Sequence, residues 1–208
     1  MTKNRKKIWY KKRSKKKQLR ARKIEAAVTM LLEAIGEDPN RPGLKDTPFR
    51  VAKMYAEELC SGYGVDTIAI LREAVFTAAN DDLVIVKDIP FYSLCEHHIL
   101  PFLGKVHIAY IPDQETREIA GLSKFARVVE AISRKLQLQE DFTFEIATTI
   151  QEGLCARGVA VIVESSEHTC MTMRGIQKPG THVTTSTMLG VFRKDAKARQ
   201  EVLGLLSK

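Results

Sequence analysis

Apolar residues recur at spacings of three and four from Ile24 onward, at Ile24, Ala27, Val28, Leu31, Leu32 and Ile35. That is the period of an amphipathic helix, and Gly36 suits its end. The next stretch, EDPNRPGLKDTP (37–48), is rich in turn formers. A second helix is expected with Thr47 as N-cap, Pro48 in the first helical position and Gly62 at the end. Its buried stripe would be Val51, Met54, Tyr55 and Leu59. Strand-like runs come next at 83–86 and 105–111, then at 159–163 and 183–192. Between the first two lies FYSLCEHHILPF (91–102), which has no clean period. A third helix is expected from about Gly121 with Ser123 as its cap and Phe125, Val128, Val129, Ile132 and Leu136 inward. A fourth spans 140–156, and a last amphipathic helix spans 195–206. Helices first, then strands with a helix pair inserted, predict an α+β fold with a largely antiparallel sheet.

The chain has 208 residues and a formal net charge of +8. Residues 1–23 hold 13 of its 33 Lys and Arg and no Asp or Glu, leaving 20 basic against 25 acidic residues in the rest. The basicity therefore belongs to a tail, and the body is mildly acidic. Like charges repel and little apolar surface is present there, so the tail is expected to be solvated and mostly disordered. Contact with nucleic acid or an acidic partner is the other reading of it. Ile8, Trp9 and Tyr10 are its one apolar cluster. Four cysteines in this length do not make a disulfide scaffold. No apolar run approaches the roughly 18 residues of a membrane span, and no signal-peptide pattern succeeds the basic N-terminus. The expectation is a cytoplasmic protein in a reducing compartment, with no membrane partner.

The densest polar cluster is Ser93-Leu94-Cys95-Glu96-His97-His98. Cys95 and His98 stand in a C-x2-H relation, so a tight turn can aim a thiolate and an imidazole at one Zn²⁺. Cys170, in Glu167-His168-Thr169-Cys170-Met171, is the best third ligand. Three protein ligands leave a fourth position open, the mark of a catalytic zinc. The competing reading is buried thiols and loop histidines, and spacing alone does not decide between them. Cys60 and Cys155 read as small core hydrophobes. His97 and His168 are left over beside the candidate metal, where groups titrating near neutrality serve proton transfer or orient a ligand. Lys124 and Arg127 stand three apart at a helix start, Arg50 and Lys53 repeat that spacing, and Arg174 comes shortly after Cys170. Each alone is a common solvated face; together with a metal centre they point to a polyphosphate.

Four separated segments, SLCEHHILPFLGKVHIAYIP (93–112), GLSKFARVVE (121–130), QLQE (137–140) and EHTCMTMRG (167–175), together resemble GTP cyclohydrolase I. DPNRPGLKDTPFRVAKMY (38–55) and TTSTMLGVFR (184–193) extend the resemblance over residues 24–208, leaving 1–23 outside it. The resemblance implies hydrolysis of GTP to dihydroneopterin triphosphate and formate, the entry step of pterin and tetrahydrofolate synthesis. By position, Cys95, His98 and Cys170 would hold Zn²⁺, and zinc-bound hydroxide would attack guanine C8. His97 and His168 would move protons, and Ser123 would assist rearrangement of the ribose. Glu140, with Gln139, would read guanine, since a carboxylate can accept from both N1–H and the 2-amino group. Arg50, Lys53, Lys124, Arg127 and Arg174 would hold the triphosphate.

The fold implied is the tunnelling fold, a four-stranded antiparallel sheet with helices on one face (about 81–208) preceded by N-terminal helices (about 24–80). Subunits of the family join sheets into a barrel and assemble as decamers of two pentamers with shared active sites, so Arg50 and Lys53 would serve a neighbour's site. The stretch VAVIVESSEH (159–168) is one residue longer than the family pattern. An extra residue flips every later side chain of a strand to the other face unless a bulge absorbs it, so a bulge is expected near 164–166. The competing class is a zinc-stabilised binding module using its basic arm on nucleic acid. The acidic body and the lack of a compact four-ligand framework weigh against it.

Overall fold

In a computed structural model, residues 3–206 are described, with side chains from Lys6 onward. The ends of the expected 1–23 and 24–208 segments lie outside those residues. The chain divides between Ser61 and Gly62 into two units. This is earlier than the boundary expected near residue 80. The reason is α4 (Thr67–Arg72), whose Leu71 is fully buried in the core of the second unit.

The first unit holds α1 (Lys3–Lys11), α2 (Lys15–Ala34) and α3 (Thr47–Met54), the last running into a π-helical turn at Tyr55–Leu59. The described residues of the 1–23 segment form α1, a turn at 12–14 and the start of α2, so the helix expected from Ile24 starts at Lys15. Ser14 caps α2, its hydroxyl accepting from the Lys17 N–H at 3.4 Å. Asp46, not Thr47, is the N-cap of α3. Tyr10, Ala21 and Phe49 are the buried centre of a small apolar cluster with Trp9 packed against it. Of the tail's apolar cluster, Trp9 and Tyr10 are therefore taken up in packing, while Ile8 stays exposed.

The second unit is built on a sheet in the order β5-β2-β3-β6-β7. Four long strands, β2 (Val84–Cys95), β3 (Pro101–Ile111), β6 (Gly158–His168) and β7 (Val183–Gly190), pair antiparallel, and β5 (Leu136–Gln137) adds two residues parallel to the end of β2. The sheet thus has five strands where four were expected, the short β5 lying at its edge. A separate pair joins β1 (Val75–Thr77) to β4 (Glu118–Ala120). The remaining helices are α5 (Leu122–Ser133), α6 (Gln139–Leu154), the single turns α7 (Thr169–Thr172) and α8 (Val191–Lys194), and α9 (Ala196–Leu206). No helix among the described residues is long and apolar enough to cross a membrane.

Side chains alternate across the sheet as the two-residue period requires. Val106, Ile108 and Tyr110 of β3 and Val159, Val161 and Val163 of β6 pack under α5 and α6, with Phe125, Val128, Val129, Ile132, Phe142 and Ile146. Ala109 and Ala160 point the other way, into a second cluster with Phe192, Val202 and Leu206. Helices were expected on one face only. Because Ala109, Ile111, Ala160 and Ile162 make the second face apolar too, α9 covers it. Cys155, expected in the core, is instead the exposed left-handed cap of α6, with φ +50°.

Candidate active site

β2 delivers Cys95 to the end of the sheet, where a tight turn begins. The Ile99 N–H donates to the Cys95 carbonyl at 2.9 Å, and the Cys95 N–H donates to the Leu100 carbonyl at 2.8 Å. Ile99 holds φ +56°, a region a β-branched residue rarely enters. The turn presents His97 and His98 at the surface with their rings 6.2 Å apart. Cys95 is buried, and its Sγ lies 4.0 Å from His97 Nδ1.

β6 brings the second half of the site to the same end. Leu103 pairs with Glu167 and Gly104 with Ser165, so Ser166 has no partner across the ladder. This is the bulge expected from the extra residue. The Ser165 and Ser166 hydroxyls each donate to the Leu103 carbonyl at 3.2 Å. Gly104 permits the close approach, since a Cβ there would sit 2.0 Å from the Glu164 oxygen. Beyond the bulge the register recovers, and Phe102 faces His168 with parallel rings at 4.9 Å. The Thr169 hydroxyl ties α7 to the Pro101 carbonyl at 2.6 Å, which sets Cys170 beside the β2 turn.

The ligand atoms of Cys95, His98 and Cys170 lie within 4.8 Å of one another. Two thiols and an imidazole form a soft, mixed donor set, and such sets suit a thiophilic divalent ion. Arg174 Nη1 donates to His98 Nε2 at 2.7 Å. A guanidinium has no lone pair to offer, so the imidazole lone pair is the acceptor here, and Arg174 would have to release it for Nε2 to bind a metal. Burial pushes the Cys170 thiol up, and its hydrogen bond with Cys95 adds to that.

His168 is held from one side. Its Nε2 lies 2.8 Å from Gln139 Oε1, at the start of α6. The Gln139 amide nitrogen donates to the Val163 carbonyl at 3.1 Å, the Val183 carbonyl at 3.0 Å and Thr185 Oγ1 at 3.2 Å. Backbone carbonyls only accept, so the amide cannot be turned round, and Oε1 must face the histidine. His168 Nε2 therefore carries the proton and Nδ1 is the free lone pair of the neutral ring. Burial holds His168 below the ordinary histidine value, with Glu140 opposing that shift. Gln139, expected to help read a substrate, is buried with both ends engaged by the protein. Glu140 beside it is exposed.

The basic residues separate. Lys124 Nζ lies 2.5 Å and Arg127 Nη1 3.7 Å from the same carboxylate oxygen, Glu73 Oε2. Gly121, not Ser123, is the N-cap of α5, and Ser123 is exposed in its first turn. Arg50 and Lys53 belong to the first unit. There Arg50 donates to the Gly43 carbonyl and Thr47 Oγ1, and Lys53 sits 3.7 Å from Glu57. Sequence reasoning missed Glu73, which sits just past an unexpected helix, and Phe102, which reads as core. It also missed Thr185 and Gln137, although both lie inside the quoted TTST and QLQE segments. Gln137 is buried, with its amide nitrogen donating to Ser93 Oγ and to the Ile132 carbonyl.

A family model described as GTP cyclohydrolase I matches residues 24–207. The protein named GTP cyclohydrolase 1 from Geobacillus kaustophilus is 55% identical over 183 residues, 88% of this chain and 95% of that relative. Its namesake from Lysinibacillus sphaericus is 54% identical over 184 residues, again 88% of this chain and 95% of the relative. The one from Rhodopirellula baltica is 53% identical over 186 residues, covering 89% and 79%.

Proposed function

Because the chain belongs to the GTP cyclohydrolase I family and is an enzyme of that kind, we propose that it hydrolyses GTP to dihydroneopterin triphosphate and formate at the site where β2 and β6 end. The observation that carries this reading is the convergence of Cys95, His98 and Cys170 beside a histidine whose tautomer is fixed by Gln139. The donor set fits Zn²⁺, which would supply Lewis acidity and make water a nucleophile at neutral pH.

The chain's own residues do the rest. His168, with Nδ1 unprotonated, takes up a proton as the imidazole ring of guanine is hydrated and opened, and returns it to a ring nitrogen as C8 leaves as formate. His97, exposed on the turn, exchanges protons with solvent. Glu140 accepts from the N1–H and 2-amino group of guanine, while Gln139 holds His168 rather than the base. Ser123, at the solvent end of α5, assists the later ribose rearrangement. Lys124 and Arg127 on one face of α5, with Arg174, bind the triphosphate. Arg50 and Lys53 serve the same ligand in a homo-oligomer whose sites lie at subunit boundaries. The antiparallel sheet leaves β7 paired on one side only. Closure of tunnelling-fold sheets into a pentameric barrel, two pentamers to a decamer, would pair such an edge. The reaction stands at the entry to pterin and tetrahydrofolate synthesis, in the cytoplasm.

The test is GTP turnover with and without a zinc chelator, following formate and the fluorescent oxidised pterin. Chelator-sensitive release of both products, restored by added Zn²⁺, is expected. Folded, zinc-loaded protein that makes neither product would overturn the reading.

A further inference from the structure

The basic arm precedes the residues matched to the family and takes no part in the proposed reaction. It is nevertheless helical and packed through its aromatic residues. The Trp9 ring meets Tyr10 edge-on at 5.0 Å and Phe49 at 5.3 Å. Tyr10, only 8% exposed, donates its hydroxyl to Glu25 at 2.7 Å. The Arg13 guanidinium stacks 3.7 Å from the Trp9 ring centre and pairs with Glu57. These contacts use up the arm's aromatic surface and anchor the joint between α1 and α2 within the first unit.

They also decide where the remaining charge goes. Lys11, Lys12, Lys15, Lys16, Lys17 and Arg20 are exposed, and among the described residues none of them forms an ion pair. No carboxylate precedes Glu25 in the chain. Lys16 and Arg20 are four apart on α2, and Lys23 is three further on, so these three share one helix face. The result is a run of exposed cations on α1, α2 and the turn between them, with no carboxylate among residues 1–24.

We propose that this run of cations, from Lys11 through Lys23, binds the phosphate backbone of double-stranded nucleic acid without reading its sequence. A regular polyanion is the partner for which an uncompensated row of cations gains most, because each phosphate neutralised releases condensed counterions. A free nucleotide would engage only one end of the row. An anionic membrane is a poorer fit. Interfacial helices anchor through a continuous apolar face, and here Trp9 and Tyr10 pack against Phe49, leaving Ile8 and Leu19 as isolated exposed apolar side chains.

Fluorescence anisotropy of the full chain with a labelled duplex of about 20 base pairs, titrated between about 50 and 200 mM salt, tests this. A log–log slope of affinity on salt of about −4 or steeper is expected. A variant carrying Lys11→Gln, Lys12→Gln, Lys15→Gln and Lys16→Gln should lose about 3.6 from that slope and bind at least about tenfold more weakly. Its GTP turnover and helical circular dichroism should be unchanged. If that variant loses helicity, Lys12→Gln and Lys16→Gln separately should each remove about 0.9 from the slope. Absent or salt-insensitive binding, or an unchanged slope in the variants, would overturn the proposal. So would tighter binding to phosphatidylserine vesicles than to duplex at equal phosphate concentration.

Discussion

Lys124 and Glu73 form an ion pair in which the cation is buried and the anion is not: Nζ lies 2.5 Å from Oε2, and the side chains are 10% and 54% exposed. Arg127 leans on the same oxygen. Glu73 is therefore a resident anion on the two cations assigned to the triphosphate, and an incoming polyphosphate must displace it. Glu73→Gln should leave Lys124 without a charge partner and lower the Tm of the ligand-free protein by a few degrees. Inorganic triphosphate should restore that loss and raise the variant's Tm more than the wild type's. The KM for GTP should fall. Differential scanning fluorimetry and initial rates check both effects; equal ligand shifts in the two proteins would remove Glu73 from this role.

The same pair has a pH signature. The hydrogen bond and charge of Lys124, with Arg127 behind them, hold the Glu73 carboxyl below its ordinary value of 4.5. A carboxyl depressed in the folded state contributes stability that is complete above its unfolded value and lost as pH falls through the folded one. The Tm difference between wild type and Glu73→Gln should therefore be flat above about pH 5 and shrink steadily below it. A difference that persists unchanged into strong acid would show that the carboxylate charge is not its cause.

Gln139 should be among the least replaceable polar residues of the chain. A carboxylate in place of its amide would face the Val163 and Val183 carbonyls with no proton to donate, so Gln139→Glu is expected to cost about 3 kcal/mol or more in denaturant unfolding. Nitrogen-15 histidine spectra of the wild type should show His168 protonated on Nε2 when neutral. The Nδ1–H form would contradict the orientation assigned to the Gln139 amide.

Deleting Ser166 should be nearly silent. The residue is unopposed in the ladder, and the Ser165 hydroxyl still donates to Leu103 without it. Removing it joins the two registers, so turnover should stay within about twofold and stability within about 1 kcal/mol. Gly104→Ala, across the ladder, should cost about 2–4 kcal/mol, because its Cβ would overlap the Glu164 carbonyl.

The long periodic elements are legible from the chain alone. Phe125, Val128, Val129 and Ile132 of α5 are all buried as their spacing requires, and the expected last helix at 195–206 is α9 (Ala196–Leu206) within one residue. β2 is longer than its pattern suggests because two local features hide its period. The register shifts between Val86 and Ile89, where Asp88 takes φ +59°, and Pro90 breaks the alternation directly after it. The order of the arm is hidden for a different reason. Charge repulsion is visible in the residues themselves, whereas the Trp9–Tyr10–Phe49 packing that opposes it needs a ring far along the chain. At the site, Cys95, His98 and Cys170 can be named from residue type and spacing. Glu73 and Thr185 cannot, since what makes them matter is the fold bringing them to Lys124 and Gln139.

The second apolar face of the sheet carries a consequence for how the chain is made. Ala109 and Ala160 are synthesised well before Val202 and Leu206, which cover them from the last helix. Until synthesis is complete that face of β3 and β6 stands bare to water, and a nascent or prematurely terminated chain offers it to any other chain nearby. Ribosome stalling or proteolysis before α9 would then yield aggregates rather than a weakened enzyme.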